Sequence, residues 1–232
     1  MITVEQILYT SAPQRWWALA EELGFAAAGT PSAEWSEFRA DGLLALHRVT
    51  ESQPAGSVDI HLIVDDVDRV AAALCEHNVA RKFMTGVGDV LTVHASSGVV
   101  LTVAAGAAEP PVGEIAVQPI WFQPDVDEAT AILTAVGLHA EIAADDGGWV
   151  EFRADRGGSI GVHMSEAAGV GASFLSCGDL AEQARVLTDA GFPAHVIDEA
   201  YGRSMRITNP DGGSDIWING AQEDLYGYHR PA

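Results

Sequence analysis

The sequence has little positive charge, few cysteines and no long apolar run. Lysine and arginine together number 12 against 33 aspartates and glutamates, a formal net charge of −21. So acidic a surface repels phosphate backbones and anionic lipids, and nucleic acid and membrane partners are not expected. The same field draws a cationic or amphipathic ligand inward, and it also serves plain solubility. No apolar stretch reaches the roughly 18 residues of a membrane span, and the N-terminal MITVEQILYT lacks the basic flank of a secretory signal. Cys75 and Cys177 stand far apart without companions. That excludes a disulfide framework and a thiolate zinc site, and suggests buried reduced thiols in a cytoplasmic protein. Also missing are a G-x-S-x-G elbow, a P-loop, a dinucleotide fingerprint, H-E-x-x-H and C-x-x-C. The glycine pairs at 86–88 and 169–172 lack the helix pattern that would make phosphate loops of them.

What is present is a duplication. Residues 35–47 read WSEFRADGLLALH and residues 149–163 read WVEFRADRGGSIGVH. Each copy follows a strand and a helix that stops at a glycine, Gly24 or Gly137, with Pro124 or Asp125 at the start of the second helix. The order in both is β-α-β-β-β. A second kind of unit follows each: SVDIHLIVDDVDRVAAALCEHNV at 57–79 and GASFLSCGDLAEQARVLTDAGF at 171–192 are strand-then-helix patterns, each leading into paired strands, with Asn-Pro-Asp-Gly-Gly a strong turn in the later one. Four βαβββ units result, at about 1–52, 55–104, 113–166 and 170–220. They group as a first domain over 1–104, a linker over 105–112 and a second domain over 113–232 that includes a C-terminal tail. Three short strands after each helix fit no parallel doubly wound sheet; an α+β fold of two curved mixed sheets, each wrapped around a cleft, is expected.

The run HLIVDDVDRVAAAL, the turn RITNPDGGSDIWI and the fourfold βαβββ plan resemble the vicinal oxygen chelate superfamily. It includes glyoxalase I, the fosfomycin and bleomycin resistance proteins and the extradiol dioxygenases, and the resemblance covers nearly the whole chain. It implies either a metal-dependent enzyme or a metal-free binder of small molecules, antibiotics among them. In metal-using members each cleft takes one ligand from the first and one from the last strand of each paired unit. Aligned on helices and glycines, with Val4, Gln6 and Leu8 facing the first cleft, those positions fall on Val4, His47, Asp59 and Thr102. Only two of the four can bind a metal, though His61 or Gln6 could reach in from the same faces. In the second cleft they fall on Val117, His163, Ala172 and Ile216, with Asp215 available if a bulge turns it inward.

His47 and His163 are alternatively polar anchors in ligand clefts, or satisfied core histidines; His61 divides the same way. In the repeated strand Trp35, Glu37 and Arg39 share one face, as do Trp149, Glu151 and Arg153, so indole, carboxylate and guanidinium can stack and pair. Phe38 and Phe152 then lie under helices. A duplicated packing solution explains the motif; the alternative is that Trp35 and Trp149 rim the clefts and stack on a planar ligand. Trp121, Phe174 and Trp217 are expected to make the second cleft aromatic. The leading expectation is a binder of an aromatic or amphipathic ligand without cofactor, using Gln6, His47, Asp59, His61, Trp35, Trp121, Trp149, His163, Phe174 and Trp217. Its rival is a lyase, isomerase or dioxygenase whose divalent metal ion sits on His47, Asp59 and His61. Monomer and homodimer are equally compatible, and the tail DLYGYHR is expected to cover a sheet edge or a partner.

Overall fold

The computed structural model describes residues 1–107, 110–222 and 224–231. It contains the four βαβββ units. The first runs β1 (Ile2–Thr10), α1 (Pro13–Glu22), β2 (Ala26–Ala27), β3 (Trp35–Ala40) and β4 (Gly42–Arg48). The second runs β5 (Val58–Val64), α2 (Val67–Ala73), β6 (Asn78–Met84), β7 (Gly88–His94) and β8 (Val100–Ala105). These eight strands form one mixed sheet in the order β2-β3-β4-β1-β5-β8-β7-β6, with β1 and β5 antiparallel at its centre.

The later half differs from the expected single curved sheet. Its third unit opens with two strands, β9 (Ile115–Val117) and β10 (Ile120–Gln123), followed by α3 (Val126–Val136), β11 (His139–Ala144), β12 (Trp149–Arg153) and β13 (Ser159–Met164). The fourth opens with β14 (Gly169–Gly171) and β15 (Ser173–Ser176), then α4 (Leu180–Asp189), β16 (Ala194–Glu199), β17 (Gly202–Ile207), β18 (Ile216–Gly220) and, from the tail, β19 (Tyr228–His229). Two mixed sheets result, β14-β10-β13-β12-β11-β19 and β16-β17-β18-β15-β9. The first strand of each unit is broken, at Gln118–Pro119 and at Ala172. Pro119 has no N–H to give a ladder, which accounts for the break in the third unit.

The helices start and stop where their local chemistry requires. Asp66, Asp125 and Asp179 cap α2, α3 and α4, each carboxylate accepting from a backbone N–H of the first turn. Helix α1 has no side-chain cap and instead opens with Pro13 at its first position. Gly137 ends α3 at φ +114°, the left-handed conformation that glycine adopts without strain. Helix α1 touches α4, and α2 touches α3, so the helical faces of both halves meet. One apolar cluster runs through both, from Trp16, Leu19 and Phe38 to Trp121, Phe152 and Phe174. Each fully buried large side chain there contributes roughly 2 kcal/mol. The concave faces of the sheets lie away from this core.

The aspartates of the repeated motif join the halves. Asp41 Oδ1 accepts from Gly158 N at 2.8 Å, and Asp41 Oδ2 is ion-paired with Arg153. Asp155 accepts from Ile2 N in return. The backbones follow suit, with Val4 N donating to Gly157 O at 2.9 Å and Asp41 N to Ile115 O at 3.0 Å. Asp211, in the Asn-Pro-Asp-Gly-Gly turn, accepts from Ser11 N and from the Trp16 indole N–H, both at 2.8 Å.

Two expectations change, and an open alternative is decided. Cys75 and Cys177 are free but exposed, because Cys75 follows the end of α2 and Cys177 lies in the loop before α4. The indole–guanidinium stack within the repeated motif is not what forms at Trp149, since Arg153 turns to Asp41 across the halves. The tail takes the sheet-edge alternative: β19 pairs with β11 through Ala143–His229 and Ala144–Tyr228. Among the described residues no helix is long and apolar enough to cross a membrane.

Candidate ligand clefts

Ladder register fixes what faces the first cleft. Glu5 on β1 lies opposite Leu43 on β4 and His61 on β5, and His61 lies opposite Thr102 on β8. The concave row is therefore Leu43, Glu5, His61, Thr102, one residue out of phase with the expected Val4, Gln6 and Leu8. Val4 and Leu8 belong to the core instead. Gln6 is fully buried between the halves, where its Oε1 accepts from Ser173 N at 3.3 Å and its Nε2 has no partner. Alternation alone gave no phase because β1 is covered on both faces, so apolar and polar residues are buried alike.

Burial sets the charges in this row. Desolvation, with the nearby Glu37 carboxylate adding to it, pushes Glu5 up to about 8, and desolvation also raises Glu37. Burial lowers His61 to about 4, so its imidazole is neutral, with Nδ1 2.7 Å from Thr102 Oγ1. Asp59 is held one ladder step away by the Tyr9 hydroxyl at 2.9 Å and by Gln53 Nε2 at 3.1 Å. His47 lies opposite Tyr9, a further step along, against the rings of Tyr9 and Trp35 with centroids 5.0 and 5.7 Å away. His47, Asp59 and His61 thus occupy three successive rows of the sheet. Among the described residues no three His, Cys, Asp or Glu side chains are placed to hold one metal ion. Glu5 beside His61 supplies two donors, fewer than the three side-chain ligands typical of a resident catalytic ion.

The second half repeats the aromatic frame. His163 packs against Phe122 and Trp149 with centroids 5.7 and 6.0 Å away, as His47 does against Tyr9 and Trp35. Both imidazoles bond through Nδ1 to the carbonyl of the next residue, at 2.6 Å to Arg48 O and 2.7 Å to Met164 O. Each Nδ1 must then carry a proton and act as the donor. The duplicated motif is thus a duplicated Trp–His–ring cluster.

A cavity of about 650 Å³ opens in this second cleft. Phe122, Trp149, Trp217, Tyr201 and Tyr228 wall it, and His163 and Asp215 also reach it. Asp215 pairs with Arg206 at 3.1 Å, whose guanidinium stacks on Trp217 at 5.1 Å. Polar groups form the floor in a connected chain. Ser204 Oγ donates to Asn219 Oδ1 at 3.3 Å, and Asn219 Nδ2 donates to Gln118 Oε1 at 2.8 Å. That orientation leaves the Gln118 amide nitrogen to donate to Glu151. Glu151 is 8 % exposed. Desolvation and the neighbouring Glu141 push it up to about 7, while Arg153, Gln118 and Arg230 pull the other way.

Of the residues expected in this cleft, Trp149, His163 and Trp217 line it. Trp121 and Phe174 do not: both are fully buried on the helix side. Of the expected ligand positions, Ala172 and Ile216 reach the lining, Ile216 mostly buried, while Val117 does not. Ser173 and Trp217 pair on the concave face. The connection from β15 to the cap of α4 is one residue longer than that from β5 to the cap of α2, so alignment on the helices slips the strand by one. The row equivalent to Leu43–Glu5–His61–Thr102 is Ser159–Gln118–Ser173–Trp217, which contains no imidazole or carboxylate and does not fit a divalent metal. Glu5, Gln118, Glu151 and Asn219 were not among the expected site residues. The signal for Glu151 was its place two residues after Trp149 on the same strand face.

No family model matches the chain, and no curated protein matches it. Solved structures do. A catechol 2,3-dioxygenase superposes over 98 % of this chain and 95 % of its own with a TM-score of 0.66 at 14 % identity. The 2,3-dioxygenase LapB from Pseudomonas sp. KL28 covers 99 % and 92 % with a TM-score of 0.65 at 12 % identity. The Mn(II)-bound glyoxalase from Novosphingobium aromaticivorans covers 95 % and 81 % with a TM-score of 0.62 at 14 % identity. The fold is the one these dioxygenases and this glyoxalase share.

Proposed function

We propose that the chain is a small-molecule binding protein that holds an aromatic or amphipathic ligand in its second cleft without a metal. One observation carries this reading: an aromatic-walled cavity of about 650 Å³ over a polar floor whose hydrogen bonds are already made. Pockets of this size, apolar with a few fixed polar groups, suit drug-sized molecules. The net charge of −21 disfavours nucleic acid as a partner, and the proposal places the protein in the cytoplasm as monomer or homodimer. Thermal melting with aromatic compounds tests it: a bound ligand at 100 times its Kd stabilises by about 2.7 kcal/mol. Trp149→Ala should reduce that shift. A shift undiminished in Trp149→Ala counts against the second cleft.

The comparisons favour a second reading, a metal-dependent enzyme acting on a substrate with vicinal oxygens. The superposed proteins include dioxygenases and a Mn(II)-bound glyoxalase. Its place would be the first cleft, where Glu5 and His61 are adjacent. The donor set there falls short of a metal centre. Elemental analysis of protein purified without chelator separates the readings. Stoichiometric metal that is lost in both Glu5→Gln and His61→Ala supports the enzyme; metal-free protein with ligand-induced stabilisation supports the binder.

A further inference from the structure

Resting on the second cleft as the ligand site, we infer that it selects cationic ligands, aryl or arylalkyl ammonium compounds whose charged nitrogen donates to Glu151 with Trp149 and Trp217 beside it. The cavity lining points this way. Among its described residues it contains two carboxylates, Glu151 and Asp215, and no lysine or arginine. Asp215 is already engaged by Arg206. Arg153 is committed to Asp41 in the other half of the chain. Arg230 and Glu141 act on Glu151 with opposite sign, and neither lines the cavity. Glu151 is therefore the charged lining group still open to a ligand, and a buried carboxylate is costly until a cation meets it.

The floor fixes the polarity of this contact. Gln118 receives a hydrogen bond from Asn219 through its oxygen and gives one to Glu151 through its nitrogen. Glu151 is thus an acceptor at the floor, and a ligand that donates continues the chain in the same sense. A ligand carboxylate would meet the Glu151 charge with no lining lysine or arginine to offset it. The walls add to the preference, because indole and phenol faces attract ammonium groups. The overall acidity of the chain raises the local concentration of cations near the mouth.

A matched ligand series on the native protein tests this: 2-(1-naphthyl)ethylamine, the alcohol with hydroxyl in place of amine, and 1-naphthaleneacetate. Binding is read by calorimetry at pH 8 and low salt. The amine should bind about tenfold or more tighter than the alcohol, and the carboxylate more weakly than both. Glu151→Gln should remove the advantage of the amine over the alcohol. Lowering the pH to 5.5 should weaken the amine and spare the alcohol, as Glu151 takes up a proton. Alcohol binding as tight as amine, or an amine preference that survives Glu151→Gln, overturns cation selection and leaves the ligand site standing. No binding by any of the three at millimolar concentration overturns the site and this inference together. The native-protein series decides the matter by itself if Glu151→Gln fails to fold.

Discussion

Arg153 in the second half closes an ion pair on Asp41 in the first, so the arginine of one copy of the repeated motif holds the aspartate of the other. Asp41 is 14 % exposed and also accepts from Gly158 N. Asp41→Ala removes both partners and strands Arg153, a loss of roughly 2–4 kcal/mol. Urea unfolding measures it. A loss under about 0.5 kcal/mol would mean that the halves are held by apolar contact alone.

Glycine at position 158 is required twice over. Its φ is +83°, and a Cβ there would lie 2.6 Å from Val4 Cβ. Gly212 has a similar φ of +79° but open space around it. Gly212→Ala should cost about 1 kcal/mol of strain, and Gly158→Ala about 3 kcal/mol or more. Equal losses by thermal unfolding would show that the close approach between the halves is easily relaxed.

The buried titrating groups of the first cleft give stability a definite pH dependence. Between about 4.5 and 8 the folded chain keeps a proton on Glu5 that the unfolded chain has released, so stability falls as pH rises. Glu5→Gln removes this penalty and should stabilise by roughly 1–3 kcal/mol at pH 8, with little gain at pH 4.5. His61 acts at the acid end. Its folded value near 4 lies below the ordinary imidazole value of 6.5, so its contribution is lost as pH falls through that window. Denaturant midpoints at pH 4.5, 6.5 and 8 check both; a flat difference between native protein and Glu5→Gln contradicts the assignment.

The two copies of the aromatic frame should separate in binding. Trp149 lines the large cavity, whereas Trp35 is 38 % exposed against His47 in the other half. Trp149→Ala should weaken second-cleft binding by roughly 1–3 kcal/mol, and Trp35→Ala should leave it unchanged. Fluorescence titration of each variant reports this. Equal weakening by both would shift the site to both clefts.

Much of the fold was legible because its punctuation is local. The helix start at Asp125, the glycine ending α3 and the Asn-Pro-Asp-Gly-Gly turn are read from neighbours in the chain. The second copy of W-x-E-F-R-A-D fixed the repeat. The site was less legible, since facing directions on a strand covered from both sides are decided by what packs above and below. Val4, Gln6, Trp121 and Phe174 were misplaced for that reason, and the extra residue before α4 hid Ser173. What Asp41, Asp155 and Asp211 hold lies over a hundred residues away in each case, beyond any local pattern.

The interlocked turns also bear on history. A chain that repeats one design can ordinarily shed or replace a copy. Here Asp41 waits on Arg153 and Gly158, while Asp155 waits on the amide of Ile2. Once these exchanges were made, neither half remained a spare. The two clefts could then diverge at their floors, Glu5 in one and Gln118 in the other, with the shared frame constraining both.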